Sequence, residues 1–221
     1  MLGRERVPMV YSRAEVLSDA AVHAVGLVSA LIAVPVLVTL AAVWFGDPTT
    51  IAAAAVYGLS LISMFACSAI YNLVSLPSWK DFLRRVDQSA IYVKIAGSYT
   101  PFAVLTGTHA GFFLAGVWGT AMLGASLIIL YPSRLKWASI LLYLGLGWLG
   151  GLIGAPMLAA LSPAGFALIV AAGSLYTAGL LFFLWESLPF HNTIWHVFVL
   201  AASFVLYAAV LLELSGRAPG A

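Results

Sequence analysis

The sequence predicts an all-α polytopic membrane protein, a seven-transmembrane helix bundle with a cytoplasmic N-terminus and a single domain over residues 1–221. Two observations carry that class. Of 221 residues, 63% are hydrophobic and 8% charged, with mean hydropathy +1.05, against roughly 45–50% apolar and 25% charged in a soluble domain. The apolar runs match the roughly 20 residues a spanning helix needs, and they lack the period-two alternation of a barrel strand. A soluble enzyme is excluded, and seven spans leave no room for a second domain.

Apolar windows between turn signals place spans near 18–44, 50–75, 86–107, 112–130, 136–155, 164–185 and 192–214. The first follows a polar segment holding Arg4, Glu5, Arg6, Arg13 and Glu15. No short apolar core with a small-residue cleavage site precedes it, so residues 1–17 are expected to remain as a cytoplasmic tail. Gly46-Asp47-Pro48 divides the first two spans, and Pro77-Ser78-Trp79-Lys80 the second from the third. Within the third, Pro101 lacks a donor and clashes with the carbonyl of Gly97, which predicts a kink. Gly107-Thr108-His109 and Tyr131-Pro132-Ser133-Arg134 bracket the fourth span. In the fifth, Gly147-x-x-x-Gly151 and Gly150-x-x-x-Gly154 read as helix-packing signals. Pro156 and Ser162-Pro163 precede the sixth span and Pro189 the seventh, leaving 215–221 as an external tail. Trp118, Trp137, Trp148, Trp185 and Trp195 fall near span ends, where indoles anchor in headgroups.

Orientation follows from the basic residues. Arg4, Arg6 and Arg13, then Lys80, Arg84 and Arg85, then Arg134 and Lys136, share one side; the other holds Arg217, and Lys94 lies inside a span. The positive-inside rule therefore puts the N-terminus in the cytosol and the C-terminus outside. The net charge of +2 is spread too thinly for a phosphate-tracking surface, so no nucleic-acid partner is expected. Cys67 cannot form an internal disulfide and reads as a small buried hydrophobe.

An ionisable side chain at a helix centre costs roughly 2.5–3.5 kcal/mol on insertion scales, so each one within a span needs a partner, a cavity or a function. Glu15, Asp19 and His23 fall at i, i+4 and i+8 on one face of the first span, Ser68 and Asn72 end the second, and Asn192 and His196 open the seventh. Asp87 opens the third, with Lys94 on the same face roughly 10 Å deeper at 1.5 Å per residue. Alternating direction brings all of these to the inner leaflet, and a shared polar cavity there is the central expectation. Each group also has a plainer reading. Arg13, Glu15 and Asp19 read as a solvated helix start with acids at the positive dipole end. His23 serves either packing or a site, and Ser68 and Asn72 either bridge helices or line a site. The depth of Asp87 and Lys94 favours a site. His109 and His191 read as loop histidines.

Ser68-Ala-Ile-Tyr-Asn72, Arg85-Val-Asp87-Gln-Ser-Ala-Ile-Tyr, Ala-Gly-Ser-Tyr-Thr-Pro-Phe102 and Pro189-Phe-His-Asn-Thr-Ile-Trp-His196-Val-Phe-Val resemble hemolysin III proteins. The likeness extends from Glu15 through the last span. It implies membership of the progestin and adipoQ receptor superfamily, a bundle of seven helices in a bacterial inner membrane, and a zinc site toward the cytoplasmic side. In the family pattern a serine precedes a span-two histidine by four residues, an aspartate opens span three, and two histidines four apart open span seven. Ser68, Asp87 and His196 match; Asn72, Gln88 and Asn192 stand where the family carries histidine.

Zinc at these matched positions is reduced to His196 and Asp87, helped by His23, because amides are poor zinc ligands. The expectation is a degenerate metal site replaced by a hydrogen-bonded network of Asp87, Lys94 and the asparagines. Two function classes follow. One is lipid or small-molecule sensing, or an ion- or proton-linked role, with Asn72, Lys94, Asn192 and His23 facing the ligand among membrane lipids. The other is a zinc-dependent, ceramidase-like lipid amide hydrolase with Ser68, Asp87 and His196 as catalytic residues. The family name suggests cytolysin or channel activity, although no span carries a full-length polar stripe. A retinal-type Schiff base at Lys94 is a further alternative.

Overall fold

A computed structural model describes residues 11–74, 76–107, 110–130, 136–152 and 154–219. His109, Arg4, Arg6 and Arg134 lie outside them. The first helix, α1 (Arg13–Trp44), starts five residues before the expected span because Ser12 and Glu15 close a capping box. The Ser12 hydroxyl accepts from Glu15 N at 3.2 Å, and the Glu15 carboxylate accepts from Ser12 N at 2.7 Å. Asp47 caps α2 (Pro48–Leu73), accepting from Thr50 N at 2.9 Å, with Pro48 preset for the first turn. A single 3₁₀ turn leads into α3 (Lys80–Thr106), which Gly107 ends in the left-handed conformation at φ 66°. Helix α3 runs unbroken through Pro101, as α1 does through Pro35. Then come α4 (Ala110–Leu130), α5 (Lys136–Leu152), the short α6 (Ala155–Ala159), α7 (Pro163–Leu184) and α8 (His191–Gly216).

Five of these helices, α1, α2, α4, α7 and α8, are long and apolar enough to cross a membrane among the described residues. The chain is thus a membrane protein with several apolar helices. Helix α3 has 27 residues but carries Arg84, Arg85, Asp87 and Lys94, and α5 has 17 residues, so neither reaches that standard. The exposed side of α1 presents Val25, Val28, Leu31, Ile32, Val36 and Val43, a surface suited to acyl chains rather than water.

Helix α1 packs on α2 and α8, α2 on α3, α3 on α4, and α7 on α8. Small residues on α2 and α3 set close approach between neighbouring helices. A Cβ on Gly97 would lie 2.2 Å from Ser60 Oγ, and one on Gly58 2.3 Å from Val34 Cγ1. A Cβ on Gly147, by contrast, would meet nothing within 4 Å. That residue contributes its carbonyl, which accepts from the Tyr99 hydroxyl at 2.6 Å, while the surroundings of Gly150 and Gly151 lie outside the described residues. Two of the five expected anchors also donate hydrogen bonds within the protein. Trp118 donates to Thr100 Oγ1 and Trp148 to Thr177 Oγ1, each at 3.2 Å.

Near the C-terminal end of α8, Glu213 is 2% exposed and accepts from Ser162 N at 3.0 Å, Ser162 Oγ at 2.6 Å and Arg217 Nε at 3.2 Å. Arg217 also donates to the carbonyls of Leu105 and Ala160. One buried carboxylate thereby ties together the end of α3, the end of α6, the start of α7 and the end of α8.

Candidate functional site

At the opposite end, α1, α2 and α8 build a cluster around Asp19. Its Oδ1 lies 2.6 Å from His196 Nδ1, and its Oδ2 accepts from Asn192 Nδ2 at 3.3 Å. Its backbone carbonyl lies 2.8 Å from His23 Nδ1. A carbonyl only accepts, so His23 carries its proton on Nδ1 and presents Nε2 as an acceptor. That nitrogen faces Ser68 Oγ at 3.1 Å and Asn72 Nδ2 at 3.4 Å. The Asn72 amide is oriented by donating to the Ser68 carbonyl at 2.9 Å, one helical turn back. The His23 and His196 rings meet edge to face with centroids 4.3 Å apart. Asp87, on α3, lies within electrostatic reach of His196, Ser68 and Asp19.

Asp19 corrects the sequence reading. It is 7% exposed, not a solvated acid of the first turn, because the capping box starts α1 at Arg13 and carries Asp19 more than a turn inward. Glu15 does stay at the surface, where it caps α1 and also accepts from Phe190 N at 2.9 Å. That contact holds the turn before α8, where Phe190 has φ 59°. His191 is likewise not a loop histidine: it is the first residue of α8 and 5% exposed. Its Nε2 faces the Tyr11 hydroxyl at 3.4 Å.

Lys94 forms a second layer. Its Nζ donates to the Tyr176 hydroxyl and sits 4.2 Å from the centroid of that ring. The Tyr176 hydroxyl in turn lies 2.8 Å from Ser203 Oγ. The network of Asp87, Lys94 and the asparagines expected from sequence is therefore divided. Seven residues separate Asp87 from Lys94 on α3 and His196 from Ser203 on α8, a rise of roughly 10 Å in each case. Tyr176 and Ser203 gave no signal in the sequence, since a tyrosine and a serine within apolar runs read as ordinary packing. A cavity of about 860 Å³ reaches both layers, touching Asp19, His23, Ser68, Asn72, Asp87, Asn192 and His196 in one and Lys94 and Tyr176 in the other.

Comparison with known proteins agrees with the residues that carried the resemblance. The family described as haemolysin-III related matches residues 13–207. This chain belongs to that family. It is 36% identical over 201 residues to the "Hemolysin-3 homolog" of Bacillus subtilis, covering 89% of this chain and 93% of that protein. It is also 36% identical to "Hemolysin-3" of Bacillus cereus, covering 89% and 90%. A human protein, "Monocyte to macrophage differentiation factor", is 31% identical over 166 residues, covering 70% of this chain and 67% of its own length.

In this haemolysin-III related chain, whether a metal fits depends on the donors present. Asp19, His23 and His196 offer ligand atoms that all lie within 4.8 Å of one another. Two imidazoles and a carboxylate are zinc-competent in type, so this triad could hold a divalent cation. When bound there, zinc would supply Lewis acidity and an activated water. Around that triad, Asn72 and Asn192 direct amide N–H groups at His23 Nε2 and Asp19 Oδ2.

Proposed function

We propose that this chain is a seven-helix protein of a bacterial inner membrane, N-terminus in the cytosol, whose inner polar cluster recognises a lipid-like or small-molecule ligand, with the family zinc site degenerate. The observation that carries this reading is the role of the two asparagines. Where the resemblance expects imidazoles, Asn72 and Asn192 donate hydrogen bonds into the cluster, to His23 and to Asp19. An amide N–H occupies the lone pair that metal coordination needs, and it presents a carbonyl oxygen suited to a polar headgroup. The cavity supports the same reading: about 860 Å³ falls within the roughly 300–1,000 Å³ typical of ligand pockets.

Metal content and turnover test this together. Protein purified in nanodiscs without chelator is expected to lack stoichiometric zinc, and to release no fatty acid from labelled ceramide. Chelator-sensitive zinc at one ion per chain, accompanied by ceramide cleavage, overturns the proposal. That outcome is the second reading, a zinc-dependent lipid amide hydrolase, which the grouping of Asp19, His23 and His196 favours. Ion flux across protein-containing liposomes in the absence of any added lipid ligand would instead point to the ion- or proton-linked role.

A further inference from the structure

Lys94 is 3% exposed, and its ammonium meets the Tyr176 hydroxyl and ring. Among the described residues, no carboxylate lies within ion-pair distance of it. The partner of its ammonium, Tyr176, is neutral. The hydroxyl chain through Tyr176 to Ser203 spreads the charge by polarisation without cancelling it. An ammonium carries three donors, and the phenol oxygen takes one. The Asp19 carboxylate belongs to the other layer, where histidine and asparagine engage it, and Asp87 lies seven residues back along α3. A buried cation without a counter-charge, facing a cavity, is the signature of a site completed by an anion.

The shape of the cavity selects the kind of anion. From Lys94 toward the Glu213 end of the bundle its lining becomes apolar: Phe102 lies two turns along α3, Met157 and Leu158 come from α6, Ile169 from the outer half of α7, and Leu206 from α8. A charged point at the head of an apolar chamber fits an amphiphile with one small anionic group. One ammonium balances a monoanion, whereas a phosphate dianion calls for further cations, and none of the arginines lines this part of the cavity.

We propose that Lys94, supported by Tyr176, receives the headgroup of a carboxylate-bearing single-chain amphiphile, a long-chain fatty acid in chemical class, whose chain fills the apolar chamber beyond it. This deepens the ligand-binding reading above and rests on it. The ammonium would donate to one carboxylate oxygen and keep its contact with the phenol, while the chain replaces cavity water.

Binding of oleic acid, oleyl alcohol and oleyl phosphate to the detergent-purified full-length protein, followed by tryptophan fluorescence and thermal shift, tests the proposal. The acid is expected to bind at least about tenfold more tightly than the alcohol. Lys94→Met is expected to abolish that preference while retaining binding of the alcohol, and Tyr176→Phe, which keeps the ammonium, to retain most of it. Equal affinity for acid and alcohol in the unsubstituted protein overturns the role of Lys94 and leaves a ligand-binding cavity. Binding of neither overturns both. Stronger binding of the phosphate overturns the choice of a carboxylate, and a preference that survives Lys94→Met overturns the site. The comparison on the unsubstituted chain holds even where Lys94→Met does not fold.

Discussion

Asp19 Oδ1 and His196 Nδ1 lie 2.6 Å apart although 177 residues separate them along the chain. This contact closes the first helix of the bundle against the last, and it sets the tautomer of His196 by drawing its proton to Nδ1. The same carboxylate engages Asn192, so one residue of α1 organises the opening turns of α8.

Removing that carboxylate therefore has a stability consequence. Asp19→Ala leaves His196 Nδ1 and the Asn192 amide without their acceptor, and a hydrogen bond to a charged group contributes about 1.5–3 kcal/mol. Unfolding of Asp19→Ala in detergent is expected to fall by that order. In a double-mutant cycle with His196→Gln, the two losses are expected to be less than additive.

Restoring the family's imidazoles should restore a metal site. Asn72→His with Asn192→His replaces both amides around His23, Asp19 and His196. Elemental analysis of the double variant is expected to show stoichiometric, chelator-sensitive zinc, whereas Asn72→Gln with Asn192→Gln is expected to gain none.

The carboxylate at the other end makes a steric prediction. A Cβ on Gly165 would sit 2.0 Å from Glu213 Oε1. That oxygen accepts from Ser162 N and Oγ, so it cannot move without losing its hydrogen bonds to the residue that caps α7. Gly165→Ala is expected to cost about 1–3 kcal/mol by overpacking, read as a lowered unfolding midpoint.

Helices α2 and α3 meet at a pair that can be relieved by compensation. Gly97→Ala would place a methyl 2.2 Å from Ser60 Oγ and 2.6 Å from Ser60 Cβ. The single variant is expected to lose about 1–3 kcal/mol, and Ser60→Gly on top of it to recover part of the loss. An additive double variant would show that the two residues do not share the contact.

Asp47 lies outside the spans and supplies a pH dependence. The backbone hydrogen bond from Thr50 holds its carboxyl below the ordinary aspartate value. A group depressed on folding stabilises above its unfolded value, and that contribution is lost as pH falls through its folded value. Stability measured from neutral pH down through the carboxylate range is expected to decline less in Asp47→Asn than in the unsubstituted chain, with the two curves converging at the acid end.

Much of the fold was legible because a bilayer leaves few choices. Backbone groups in hydrocarbon must pair internally, so long apolar runs become helices, and Gly46-Asp47-Pro48, Ser162-Pro163 and Gly107 mark their ends by local chemistry that needs no neighbour. The family too was legible, because its motifs are short and contiguous. The site was legible only as a list of polar residues at one depth.

Which of those residues touch was decided by helix rotation and tilt, and these depend on how small residues such as Gly58 and Gly97 let neighbouring helices close. That is why Asp19, which looked like an exposed first-turn acid, became the centre of the cluster, and why Lys94 turned to Tyr176 rather than to Asp87. Sequence spacing fixes the face and depth of a side chain within its own helix; its partner on another helix exists only once the bundle has packed.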